Sequence, residues 1–169
     1  MPEQLTIRER TGFGLATLMA RKGVDHLRLG EALGVSAPTS CSFAGNDNVA
    51  LIGTGPGVWL AFSEQSDPEW IDDLSRRLSG IASVSDQSGG YVIFRISGPS
   101  ARPLLQRGAF IDLDASAFFP GSAATTMIAH IGVTLWQVDG TPAFDVALFR
   151  SFAKSFRDWI DATAPFIGF

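Results

Sequence analysis

Apolar residues along this chain recur in two rhythms that alternate. In "GFGLATLMAR", Gly12 to Arg21, a period of two places Phe13, Leu15, Thr17 and Met19 on one face of an extended segment. After Gly23, "VDHLRLGEALG" has the spacing of a short helix that stops at Gly34. A polar loop of small residues, "VSAPTSCSFAGND", leads into two predicted strands rich in branched and aromatic residues, Asn48–Gly53 and Gly57–Phe62. The helical rhythm returns in "SDPEWIDDLSRRLSG". Asp67 suits its N-cap, Pro68 its first position and Glu69 the positive end of the dipole. Ile71, Leu74 and Leu78 form the apolar stripe, and Gly80 can end the helix.

Beyond a polar junction near Ser83 to Tyr91, the same order recurs. "YVIFRIS" predicts a strand and "GPSARPLLQRG" a helix that starts late or bends at Pro103. "TTMIAHI" and "GVTLWQV" predict two more strands. Asp139-Gly140 marks a hairpin turn, "AFDVALF" the returning strand and "SFAKSFRDWI" a final helix. In that helix Phe152, Ala153, Phe156, Trp159 and Ile160 share a face and Ser151 is the cap. Gly57-Val58-x-Leu60 matches Gly132-Val133-x-Leu135, at the same separation as Gly23 from Gly98. Strings this short also match by chance. Taken as a repeat, the order predicts an α+β chain of two tandem pseudo-symmetric ferredoxin-like halves with antiparallel sheets. They span about 10–85 and 86–169 of a single domain.

The 169 residues suffice to bury a core. Charged residues make up 18 %, against roughly 25 % in an average domain. That shortage fits either a surface partly covered by a partner or a somewhat apolar monomer. A net charge of −4 with scattered Lys and Arg lacks the footprint of nucleic-acid binding. Cys41 is the only cysteine, so neither an internal disulfide nor a thiolate metal site is expected. The segment "MPEQLTIRER" has no apolar signal core and no run is long enough to span a bilayer, so a cytoplasmic location is expected.

"LIGTGPGVWLAF" holds Gly53, Gly55 and Gly57 and invites a phosphate-loop reading. Phosphate loops lead into a helix N-terminus, whereas "VWLAF" is a strand by composition. The Walker lysine is missing, and Pro56 removes a backbone donor. The glycines are therefore expected in a tight strand-to-strand connection. His26 and His130 have no second ligand at metal spacing, with His130 the better placed at a strand end. Asp72 and Asp73 are adjacent and diverge on a helix. Asp112 and Asp114 can share a face, as a solvated edge or a site, and Cys41 has no cationic neighbour to activate it. No catalytic, cofactor-binding or metal residue is assigned. The tail "TAPFIGF" stays apolar after Pro165, so Phe166, Ile167 and Phe169 are expected either in a final edge strand or against another chain.

"DQSGG" (86–90), "ISGPSARPLLQRGAFIDL" (96–113), "FPGS" (119–122), "AHIGVTLWQ" (129–137) and "FRSFAKSFRDWI" (149–160) resemble the gamma subunit of heterotetrameric sarcosine oxidase. "ATLMARKG" and "GPGVWLA" extend the likeness into the first half. The resemblance implies a fold like the folate-binding aminomethyltransferases of glycine cleavage, and partners in the alpha, beta and delta subunits. It implies a complex that demethylates sarcosine to glycine, yielding formaldehyde or methylene-tetrahydrofolate and hydrogen peroxide. It places FAD, FMN, NAD and tetrahydrofolate in the partner subunits and none in this chain, which also lacks the Gly-Cys-Tyr segment of cysteine-using folate-fold relatives. A stand-alone folate-binding protein or small tetrahydrofolate-dependent transferase is the alternative, and the isolated chain has a homodimer as a further option.

Overall fold

The computed structural model describes residues 4–139 and 142–168. The chain divides into two compact units, Thr11–Gly89 and the residues 1–10 together with 90–169. This differs from halves at 10–85 and 86–169. The N-terminal segment joins the second unit, and the polar junction contributes a strand to the first.

In Thr11–Gly89 the order is β2 (Gly14–Ala20), α1 (His26–Leu33), β3 (Phe43–Gly45), β4 (Ala50–Gly55), β5 (Val58–Ser63), α2 (Trp70–Arg77) and β6 (Ala82–Asp86). Its sheet runs β3-β4-β5-β2-β6, with neighbours antiparallel. Without β3 this is the ferredoxin-like arrangement. Asp25 caps α1 by accepting from the Arg28 N–H, and Gly34 ends it in the left-handed region at φ 68°. Asp67 acts ahead of α2: its Oδ1 accepts from Glu69 N and its carbonyl from Trp70 N. Ala16, Leu18, Leu29, Leu33, Leu51, Trp59, Leu74 and Leu78 form the core between sheet and helices. The helix-facing side of β2 is therefore Ala16 and Leu18, and the opposite side carries Leu15 and the exposed Met19.

The glycine run forms the β4–β5 hairpin, closed by Pro56 and by Gly57 at φ 69°. This is the expected strand-to-strand connection, and no helix follows it. Gly53 answers a different demand. A Cβ there would lie 2.3 Å from the Ser40 carbonyl oxygen, because the loop before β3 crosses β4 at that point.

The second unit contains β1 (Thr6–Glu9), β7 (Tyr91–Ser97), α3 (Ala101–Gln106), β8 (Ala123–Ile128), β9 (Ile131–Gln137), β10 (Ala143–Phe149) and α4 (Ala153–Thr163). Its order is β1-β7-β10-β9-β8, again antiparallel. The outer place beside β7, held by β6 beside β2 in the first unit, is taken by the N-terminal β1. Pro103 fits inside α3 because it sits in the first turn, where its missing N–H has no intrahelical role. Phe156 and Ile160 of α4 are fully buried with Phe94, Leu104, Leu135, Phe144 and Val146. Phe152 of the expected stripe stays 45 % exposed, and Ser151 lies in a 3-10 turn, Arg150–Phe152, rather than capping α4. β9 and β10 pair as expected, while Gly140 of their turn lies outside the described residues.

The repeat holds at the level of elements and fails at the level of strings. Gly57-Val58-x-Leu60 enters β5, which pairs with β2, whereas Gly132-Val133-x-Leu135 lies on β9, which does not touch β7. The counterpart of β5 is β10. Equal spacing in the sequence matched strands with different places in their sheets.

Candidate partner-binding surface

Among the described residues, the candidate side chains singled out in the sequence stand on separate elements. His26 begins α1, and Cys41 is exposed in the loop before β3. Asp73 pairs with Arg76 on the exposed face of α2 at 3.1 Å. Among the described residues no group of three or more His, Cys, Asp and Glu could hold a metal ion. Asp112 and Asp114 lie on a loop and make successive turns, each carboxylate accepting from the backbone N–H two residues on, Asp114 and Ser116. The Ser116 hydroxyl, then its N–H, holds the Asp114 carboxyl below the usual range, with a smaller contribution from the Arg102 charge.

That loop, between α3 and β8, is built from α3. Arg102 reaches out of the helix and donates through Nη1 to the carbonyls of Leu113 and Phe118, and through Nη2 to Gln137 Oε1 at 3.0 Å. Its guanidinium lies 5.1 Å from the centre of the Phe144 ring. Gln106 accepts from Leu113 N at 2.7 Å and donates to the Ile111 carbonyl at 2.9 Å. These bonds fix where the loop's aromatic residues emerge. Leu113 and Phe118 turn into the core, while Phe110 and Phe119 stay 64 % and 55 % exposed.

Both exposed rings flank the edge strand β8. The Phe110 N–H donates to the Met127 carbonyl and the Ala129 N–H to the Gly108 carbonyl, so Gly108–Phe110 covers one end of the strand. At the other end, Phe119 and Ser122 close a turn just before β8. Gly108 must be glycine for this approach. A Cβ would stand 2.8 Å from Trp159 Cζ2 and 2.9 Å from the Ala129 nitrogen. β8 returns into β9 through Ala129 and His130, at φ 52° and 65°. Both are left-handed, as a two-residue type I′ hairpin demands. The expected strand "TTMIAHI" is thus interrupted at its tip. His130 packs edge-on against Phe110, with ring centres 5.7 Å apart. Phe110, Phe119, Met127 and His130 therefore lie along the edge strand of one sheet. The sequence held a signal for this surface: the 24 residues from Ala115 to Val138 contain no Asp, Glu, Lys or Arg.

The tail behaves differently from expectation. A 3-10 turn, Ala164–Phe166, follows α4. Ile167 is buried in this unit's own core and so is a core residue, not a contact held out to a partner. Pro165 redirects the chain so that one residue faces in and its neighbour out, leaving Phe166 76 % exposed. Phe169 lies outside the described residues. On the sheet face opposite the helices, Asp145 is 1 % exposed and bonds Arg95 through both oxygens and Arg10 through one, at 2.8–2.9 Å. This buried triad joins β10, β7 and the residue after β1.

Among the described residues no helix is long and apolar enough to cross a membrane. No curated protein matches the chain. Among solved structures it matches a chain of the heterotetrameric sarcosine oxidase from Corynebacterium sp. U-96 in complex with pyrrole 2-carboxylate. The two are 28 % identical with a TM-score of 0.86, over 100 % of this chain and 89 % of that one. It also matches the glycine cleavage system aminomethyltransferase T from Bartonella henselae, at 12 % identity and a TM-score of 0.70, over 93 % of this chain and 45 % of that one. The second likeness is one of fold. The family model of the sarcosine oxidase gamma subunit matches residues 24–165. With most of its length matched in this way, the chain belongs to the sarcosine oxidase gamma subunit family.

Proposed function

We propose that this chain is the non-catalytic gamma subunit of a heterotetrameric sarcosine oxidase, serving assembly beside the larger alpha and beta chains and the small delta chain. The match of the gamma-subunit family over residues 24–165 carries the reading. The complex converts sarcosine to glycine by oxidative demethylation. It releases the carbon as formaldehyde or methylene-tetrahydrofolate, with hydrogen peroxide formed alongside. FAD, FMN, NAD and tetrahydrofolate belong to the partner subunits. The glycine run of this chain turns between two strands and does not lead into a helix, as a phosphate loop would. The exposed apolar side chains around β8, and Phe166 of the tail, are among the parts available to partners.

Co-expression with the larger subunits is expected to give one stoichiometric species on size-exclusion chromatography. The purified chain alone is expected to be colourless and inert toward sarcosine. Failure of the wild-type chain to co-elute, or turnover of sarcosine by the isolated chain, would overturn the reading. A stand-alone folate-binding protein has the fold likeness to aminomethyltransferase T in its favour. Calorimetric titration of the isolated chain with tetrahydrofolate separates the two, and heat of binding would favour the stand-alone protein.

A further inference from the structure

We infer that the outer edge of β8 is a docking strand, on which an extended, uncharged segment of a partner subunit adds itself to the sheet. The inference rests on the gamma-subunit reading and says which surface performs the assembly.

In a two-residue hairpin the closing pair, Ile128 with Ile131, exchanges hydrogen bonds, and pairs along the ladder then alternate. Met127 and Thr125 therefore turn their backbone groups away from β9. The Met127 carbonyl does so visibly, accepting from Phe110. The outward N–H and C=O of Thr125 and the N–H of Met127 have no backbone partner among the described residues. These are the groups an added strand would bond.

The four sheet edges, β1, β8, β3 and β6, differ in how they are protected. Monomeric proteins protect open edges with charge, proline, short length or a covering segment. β1 carries Arg8 and Glu9, β6 ends in Asp86, and β3 has three residues. β8 has six residues and neither charge nor proline, and among the described residues the backbone contact on its outer side is the crossing of Gly108–Phe110 at one end. It lies inside the 24-residue stretch without Asp, Glu, Lys or Arg. An edge protected only at that end suits a permanent neighbour along the rest of its length. Its uncharged character selects an uncharged occupant, because a partner charge laid there would lose water and find no counter-charge. Exposed apolar side chains stand at both ends of β8, Phe110 beside Met127 at one and Phe119 at the other. Aromatic and methionine side chains are enriched where protein partners meet. The left-handed Ala129-His130 turn holds His130 against Phe110, so that end of the surface is ordered before docking.

The test uses the full chain co-expressed with the larger subunits. Thr125→Pro removes an N–H that points away from β9, so the β8–β9 backbone ladder survives while the docking bond is lost; like Thr125→Lys, it also gives up the side-chain bond to Thr134. Thr125→Lys places a charge on the edge, and Ser85→Lys does the same on β6 as a control. Both Thr125 variants, folded by circular dichroism, are expected to lower the amount of complex at least tenfold, with Ser85→Lys at the wild-type level. Amides of residues 123–127 in the wild-type chain are expected to gain hydrogen-exchange protection in the complex. Wild-type levels of complex with both Thr125 variants, or unchanged exchange at these amides, would overturn the inference while leaving the subunit reading intact. No complex with the wild-type chain would overturn the subunit reading itself.

Discussion

At 1 % exposure, Asp145 depends on Arg10 and Arg95 for the hydrogen bonds that water would otherwise give it. The arginines are less confined, 14 % and 32 % exposed, so part of their charge stays solvated. Removing the carboxylate takes away the buried oxygens that Arg10 and Arg95 share. Asp145→Ala is therefore expected to cost about 3 kcal/mol, near the lower end for breaking a buried pair. Asp145→Asn, which keeps a hydrogen-bonding side chain, should cost less. Urea unfolding measures both, and an unchanged midpoint for Asp145→Ala would show that solvent already screens the triad. None of this was legible in the sequence, because Asp145 lies 50 residues from Arg95 and 135 from Arg10. Arg102 escaped notice in the same way. Its partners, two carbonyls and an amide, are set by the path of a loop and not by any local pattern.

Elements whose apolar rhythm is self-contained were legible: β4, β5, β7, β9, β10, α1 and α2 lie where period and composition put them. The strands left unassigned were β1, β3 and β6, with sequences TIRE, FAG and ASVSD. Each is a short edge strand, and its extended form comes from pairing with a longer neighbour rather than from its own composition. The β8 edge was half legible, its lack of charge written in the sequence and its exposure set by the sheet order. The turn after β8 shows what a local rule misses. A type I′ hairpin favours Asn-Gly, yet Ala129 and His130 occupy the left-handed positions. Left-handed backbone costs an ordinary residue roughly 1–2 kcal/mol. Replacing the pair by Ala129→Asn with His130→Gly is expected to raise stability by about 1 kcal/mol in thermal or urea unfolding. In the co-expression assay the same double variant is expected to form less complex, because His130 no longer braces Phe110. No gain in stability would mean that the surrounding contacts already relieve the strain.

Across the whole molecule, the N-terminal ten residues complete the unit formed by 90–169. β1 pairs with β7 from Thr6–Ser97 to Glu9–Phe94, Arg10 N donates to the Ile93 carbonyl and Arg10 Nη1 joins Asp145. The unit Thr11–Gly89 is contiguous and owns all four strands of its ferredoxin-like order. A repeat read along the sequence expects each half to be built from its own stretch, so this exchange stays hidden until the strands are paired. The two units should then respond unequally to loss of the N-terminus. Deleting residues 1–10 opens the outer edge of β7 and removes one arm of the Asp145 triad. Hydrogen exchange is expected to show lost protection in β7 and β10, with β2 and β5 as protected as before. Urea unfolding should separate into two steps, the unit containing 90–169 melting first. A single transition with equal loss of protection in both units would show instead that the molecule unfolds as one cooperative body, in which β1 supports β2 as much as β7.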